Sequence, residues 1–121
     1  MPIPPDKLKQ LRALLQHDDS DVRAQGRELL VTLAAPVDAL RGVDLSRLSI
    51  SRCDLSGRDL TGTNLRGTTL HGVDLTRADL TDAILDEATL IRTVLTGATL
   101  VRTSMRSARL SGVDFAGARL D

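Results

Sequence analysis

The chain has 121 residues, with sixteen basic and sixteen acidic side chains and a formal net charge of zero. Neutrality argues against a general electrostatic grip on nucleic acid, and the sequence holds no run of about twenty apolar residues that could cross a bilayer as a helix. Phe115 is the only aromatic residue, so any core must be built from aliphatic side chains.

The first stretch, residues 1–37, reads as a helical cap. MPIPPDKLKQ has no apolar signal core, which makes a cytoplasmic location the expectation. Leu8, Leu11, Leu14 and Leu15 fall on one side of a helix starting near Pro5, a first-turn position where the missing N–H of proline is harmless. The HDDSD stretch at 17–21 interrupts that helix, and Asp19 or Ser20 suits the N-cap of a second one. The second helix turns Val22, Leu29, Leu30 and Leu33 inward and ends before Pro36. The segment LLQHDDSDVRAQGRELLVTL resembles one HEAT-like helical hairpin. Covering the end of the following segment is its expected role, and docking another protein is the alternative. HDDSD lacks the alternating aspartates and central glycine of a calcium loop, so it reads as a solvated turn.

From residue 38 the period changes to five. Leu40, Leu45, Ile50, Leu55, Leu60, Leu65, Leu70, Leu75, Leu80, Leu85, Leu90, Leu95, Leu100, Met105, Leu110, Phe115 and Leu120 form an unbroken series of seventeen apolar residues, fourteen of them leucine. A step of five turns an α-helix by about 500° and leaves no stripe. In a flat strand it sends alternate leucines to opposite faces. A chain that turns a corner every five residues can send each leucine inward, and stacked coils of this kind form a solenoid.

The neighbours of each leucine fit that arrangement. Two positions before it stand compact residues such as Cys53, Thr63, Thr68, Val73, Ala78 and Ala83, which suit a second, narrower inward column. Just before it stand Asp44, Asp54, Asp59, Asn64, Asp74, Asp79 and Asp114. Just after it, Ser and Thr dominate, and two positions after it lie eight of the nine glycines. Glycine tolerates the backbone of a tight corner, while Asp, Ser and Thr satisfy turn backbone locally.

Units such as VDLSR, RDLTG, TNLRG, VDLTR and ADLTD resemble the pentapeptide-repeat family, whose pattern is roughly A(D/N)LxX. The resemblance covers residues 38–121. It implies an all-β solenoid, a right-handed quadrilateral β-helix with twenty residues per coil and about four coils, here capped at its N-terminus by two short α-helices. It also implies pairing of copies through their C-terminal ends, and in some members protection of DNA gyrase against quinolones or toxins by mimicry of duplex DNA.

Departures from the pattern mark candidate sites. Asp38 and Arg58 both occupy the compact inward phase, where charge is costly. Twenty residues apart, they are expected to form an internal ion pair, or Arg58 to reach toward the helical cap. Leu48, oversized for the same phase, is expected to fill space under the cap. Ile84, Ile91, Val94 and Val101 fall in outward phases and form a candidate partner surface, with Ile91 and Val94 at one corner and Ile84 and Val101 at another. No helical pattern follows Leu120, which makes Phe115 and Leu120 a candidate homodimer end.

Chemistry is sparse. The only histidines are His17 and His71, the repeat itself accounts for the spacing of acids and serines, and no phosphate loop or metal-ligand set appears. Cys53, the single cysteine, lies in the compact column and reads as buried filler. No enzymatic activity, cofactor or metal is therefore expected. A protein-interaction or scaffold module with an unknown protein partner is the leading reading, and topoisomerase protection is the alternative. Asp54, Asp74 and Asp114 share one acidic column, but residues 38–121 hold eleven acidic side chains and eleven arginines. Arg92, Arg102, Arg106, Arg109 and Arg119 gather toward the C-terminal half, yet neutrality and missing aromatics disfavour direct nucleic-acid binding.

Overall fold

The computed structural model describes residues 3–120. Helix α1 spans Pro5–Leu15 and helix α2 spans Ser20–Leu33. The Asp19 side chain caps α2 by accepting the Asp21 backbone N–H at 2.8 Å, which satisfies one of the free donors of the first turn. The two helices cross tightly at Gly26. A Cβ there would fall 2.8 Å from Leu15 Cδ2 and 2.9 Å from Leu14 Cβ. The ninth glycine thus serves helix packing, whereas the other eight serve corners.

After the hairpin the chain winds into a four-sided β-helix. Strands β1 (Ser49–Ser51), β2 (Thr69–His71), β3 (Thr89–Ile91) and β5 (Arg109–Ser111) form one parallel sheet, and β4 (Thr99–Leu100) pairs in parallel with β6 (Arg119–Leu120). Every register is offset by twenty residues: Ile50 lies beside Leu70, Leu70 beside Leu90, and Leu90 beside Leu110. Single bridges make the other two sides, Asp44–Asn64–Ile84–Ser104 and Asp54–Asp74–Val94–Asp114, with the same offset. Four five-residue sides therefore complete one turn, as the family resemblance implies.

The inward series forms one continuous core. Leucines from Leu40 through Leu100 are buried, and the same cluster takes in Leu11, Leu15 and Leu30 of the helices. Leu48 is buried in this cluster as well. Each fully buried leucine contributes about 1.5–3 kcal/mol before chain entropy is counted. The compact column adds hydrogen bonds to its packing: the hydroxyls of the wholly buried Thr63, Thr68 and Thr93 donate to the carbonyls of Leu40, Leu45 and Leu70 on the preceding coil, at 2.6, 2.6 and 2.9 Å. Thus even the polar residues inside the tube are satisfied.

Corners share one backbone solution. The sixteen residues at every fifth position from Gly42 to Gly117 all have φ between 51° and 70°. Half are glycine, and the rest are Arg47, Arg52, Arg77, Asp82, Glu87, Arg92, Arg102 and Ser107. The left-handed conformation costs a residue with a Cβ about 1–2 kcal/mol, so the repeat tolerates local strain at half its corners.

Candidate interaction surfaces

The aspartates before each leucine have a local task that precedes any display of charge. In each case Oδ1 accepts the backbone N–H two residues on: Asp54 from Ser56 at 2.9 Å, Asp74 from Thr76 at 2.9 Å, and Asp114 from Ala116 at 2.9 Å. Asn64 does the same for Arg66 at 3.0 Å. These contacts fix the entrance to the corner. The Ser56 hydroxyl, followed by its N–H, holds the Asp54 carboxyl below the ordinary aspartate range.

The acidic column forms, with an interruption. Asp54 and Asp74 are adjacent in register, but Val94 stands between Asp74 and Asp114. The four outward aliphatics divide into two pairs. Ile91 closes β3 and Val94 lies on the next side, so they flank one corner. Ile84 lies on the side opposite Val94, and Val101 follows β4 near the diagonal corner. Ile84 is 37% exposed, and Ile91, Val94 and Val101 are half-buried. The four do not share one face.

Near the capped end the Asp38–Arg58 ion pair is not formed. Arg58 instead sends Nε to the carbonyl of Ala34, the C-cap of α2, at 2.7 Å, with a longer contact from Nη1 to the Ser56 carbonyl at 3.5 Å. Among the described residues the ion pairs are Arg12–Asp44, Arg41–Asp59, Arg66–Glu87 and Arg102–Asp82. A helix C-terminus presents carbonyls with no intrahelical partner and a partial negative charge. That target satisfies the guanidinium at a position where Asp38 stands exposed to water. Arg12 acts in parallel from α1, reaching the carbonyls of Asp44 and Ser46 at 3.1 and 2.9 Å.

At the other end the inward series loses its cover. Leu110 is 47% and Leu120 68% exposed, while Met105 and Phe115 are half-buried. Further along the surface, Asp86 receives the Ser104 hydroxyl and the Arg106 N–H from the next coil, an arrangement with no signature in the five-residue pattern. Cys53 is buried, and desolvation pushes its thiol up to about 11, so it has no thiolate near neutral pH. Among the described residues no group of three or more His, Cys, Asp or Glu side chains could hold a metal ion, and no helix is long and apolar enough to cross a membrane.

The coil geometry agrees with comparison to known proteins. The family model described as pentapeptide repeats matches residues 44–86 and 83–121. The chain belongs to the pentapeptide-repeat family. Among solved structures it is similar to the pentapeptide-repeat protein Rfr23 from the cyanobacterium Cyanothece 51142, with 28% identity and a TM-score of 0.63 over 66% of this chain and 55% of that one. It is also similar to a trypsin-treated variant of QnrB1, a plasmid-mediated fluoroquinolone resistance protein, with 28% identity and a TM-score of 0.64 over 68% of this chain and 42% of that one. Full-length QnrB1 gives 29% identity and a TM-score of 0.63, covering 65% of this chain and 40% of that one. The chain thus spans about half the length, or less, of these pentapeptide-repeat proteins. No curated protein matches it.

Proposed function

We propose that this pentapeptide-repeat chain is a cytoplasmic, non-enzymatic protein-interaction or scaffold module. The observation that carries the reading is the twenty-residue register, which holds outward side chains in straight columns on a rigid tube. A rigid surface loses little conformational entropy on binding. The partner is a protein, met through a side of the tube; a second copy meets the exposed Leu110 and Leu120, with Phe115 beside them. Affinity purification from the native host tests the first contact, using wild type, an Ile91→Lys/Val94→Lys variant and an Ile84→Lys/Val101→Lys variant. A protein retained by wild type and lost by one folded variant supports the reading. Retention by neither wild type nor variants, or equal retention by all, counts against a side-specific contact.

Topoisomerase protection is the second reading, favoured by the similarity to the QnrB1 structures together with the Asp54, Asp74 and Asp114 column. The balanced charge of residues 38–121 and the interruption at Val94 weigh against it, because duplex DNA carries about one charge per 1.7 Å. The test is gyrase supercoiling in the presence of a quinolone. Asp54→Asn, Asp74→Asn and Asp114→Asn together keep the Oδ1 acceptors and remove three charges. Protection by wild type that this variant loses would place DNA mimicry first.

A further inference from the structure

A cleft of about 340 Å³ lies between the start of α2 and the first two strands of the long sheet. Its lining includes Arg23, Arg27, Arg52, His71, Ser20 and Asp21. Three guanidiniums and an imidazole thus face one small space, against a single carboxylate. They come from two different elements, α2 on one side and the sheet corner on the other, and both are held in place. Arg27 Nη1 donates to the Ser51 carbonyl at 3.4 Å, which ties α2 to β1. Arg23 Nη1 is committed to the carbonyls of His17 and Asp18, both at 2.7 Å. Arg52 differs from these two: among the described residues its guanidinium has no hydrogen-bond or ion partner.

The backbone makes the position of Arg52 more telling. Its φ is 51°, in the region that costs a residue with a Cβ about 1–2 kcal/mol. Glycine occupies the same corner one coil later, at Gly72. Arginine at position 52 therefore carries the corner strain it shares with Arg47, Arg77 and Arg92, and its guanidinium stands at the mouth of a basic cleft with no hydrogen-bond or ion partner among the described residues.

We propose that this cleft binds a phosphate oxyanion, either free or as a small phosphomonoester, with Arg52 as the principal ligand and Arg27 and His71 beside it. A guanidinium presents a planar fork of donors that matches phosphate oxygens. The cleft holds a compact anion and has no aromatic platform for a nucleic-acid base.

The experiment follows the His71 imidazole signals by NMR as inorganic phosphate, or in a second arm O-phosphoserine, replaces chloride at constant ionic strength. His17 lies outside the cleft lining and serves as the internal reference. Arg52→Gly removes the charge and relieves the corner, so loss of binding cannot be ascribed to misfolding. Arg77→Gly makes the same change at another corner with φ of 58°. The expected result is a saturable His71 shift in wild type and Arg77→Gly, weakened about tenfold or more in Arg52→Gly, the loss of one charge-assisted contact. Saturation in one arm alone assigns the source of the phosphate. No saturable shift in either arm, or equal weakening in both variants, overturns the proposal.

Discussion

Arg58 Nε meets the carbonyl of Ala34 at 2.7 Å, and through this contact the first coil of the tube closes the C-terminus of α2. The next residue extends the clasp, since Asp59 N–H donates to the Val37 carbonyl at 2.8 Å. A half-buried arginine whose Nε finds the carbonyl at the helix end is satisfied there, but the same carbonyl without it is left with poor solvation. Arg58→Met keeps the aliphatic stem and removes the donors. We expect it to lower stability by about 1.5–3 kcal/mol, the range for hydrogen bonds to charged groups. Arg58→Lys should recover part of the loss by retaining a cation near the helix end. Chemical denaturation of the three proteins measures both, and equal stability of Arg58→Met and wild type would remove the clasp from the account.

Arginine and glycine are coupled at the corners. A Cβ on Gly97, which has φ of +67°, would fall 3.3 Å from Cγ of Arg77 on the preceding coil. Gly97→Ala thus meets two obstacles, a left-handed backbone and the arginine stem, and should cost about 1–2 kcal/mol or somewhat more. Arg77→Gly alone should stabilise by about 0.5–1 kcal/mol, because relief of its own strain outweighs the added freedom of the unfolded chain. In the Arg77→Gly background the cost of Gly97→Ala should shrink. A double-mutant cycle reads that coupling directly, and strict additivity would show that the stem gives way freely.

The leucine period, the two helices and the five-residue sides were legible because each depends on residue type at fixed spacing. The Asp19 cap, the Leu8–Leu15 stripe and the inward Leu40–Leu120 series are local patterns of that kind. The reach of Arg58 toward the cap was one of two expectations and is what the structure shows, whereas its acceptor atom was not legible, because it is a backbone carbonyl twenty-four residues away and every residue type supplies one. The acidic column was visible as charge, yet Oδ1 of each member is occupied by its own corner, a contact that only the folded backbone creates. The basic cleft escaped the pattern for a further reason. Arg23 and Arg27 belong to a helical period and Arg52 and His71 to a five-residue one, and only the packing of α2 on β1 brings them together.

Acid should unfold this chain through its corner carboxylates. Asp54, Asp82 and Asp86 all lie below the ordinary value of 3.8, held there chiefly by the hydrogen bonds of Ser56, Arg102 and Ser104 respectively. A carboxyl whose folded pKa is depressed stabilises the fold fully above its unfolded value and loses that contribution as pH falls through the folded value. Thermal stability is therefore expected to be flat with respect to these groups above about pH 5 and to decline below about pH 4. Asp54→Asn keeps the acceptor, as Asn64 already does at its own corner, and should flatten the acid limb slightly. Melting curves recorded across that range check the window; a main decline between pH 6 and 7 would assign the sensitivity to other groups.

Thr68 is the most stringent test of the inner column. Its hydroxyl donates to the Leu45 carbonyl at 2.6 Å and lies 3.5 Å from the Leu48 N–H, so it bridges a turn on the coil beneath it while wholly buried. Thr68→Val conserves shape and deletes the hydroxyl, leaving a buried carbonyl without this donor. The expected cost is about 1–3 kcal/mol, the penalty for an unsatisfied buried group. The same change at Thr103, which donates to the Leu80 carbonyl at 2.7 Å from a half-buried site, should cost less because water can take over. Equal losses at the two positions would mean that packing alone sets the column.

The exposed inward residues of the last described coil lead to a prediction about assembly. Leu110 and Leu120 belong to the same series as the buried Leu90 and Leu100, and among the described residues no coil stacks on them. Parallel strand edges at β5 and β6 accompany them, and such edges pair readily with another chain. A second copy docked end to end would cover both the leucines and the edges in one contact, and a two-fold arrangement closes on itself. Light scattering should show a dimer that dissociates on dilution. Leu120→Arg should give a folded monomer, because the substitution places a charge in the buried centre of the contact. Ile84→Arg, on a side of the tube, should leave the dimer intact. A wild-type protein that stays monomeric at tens of micromolar, or a Leu120→Arg variant that still dimerises, would rule out pairing through this end.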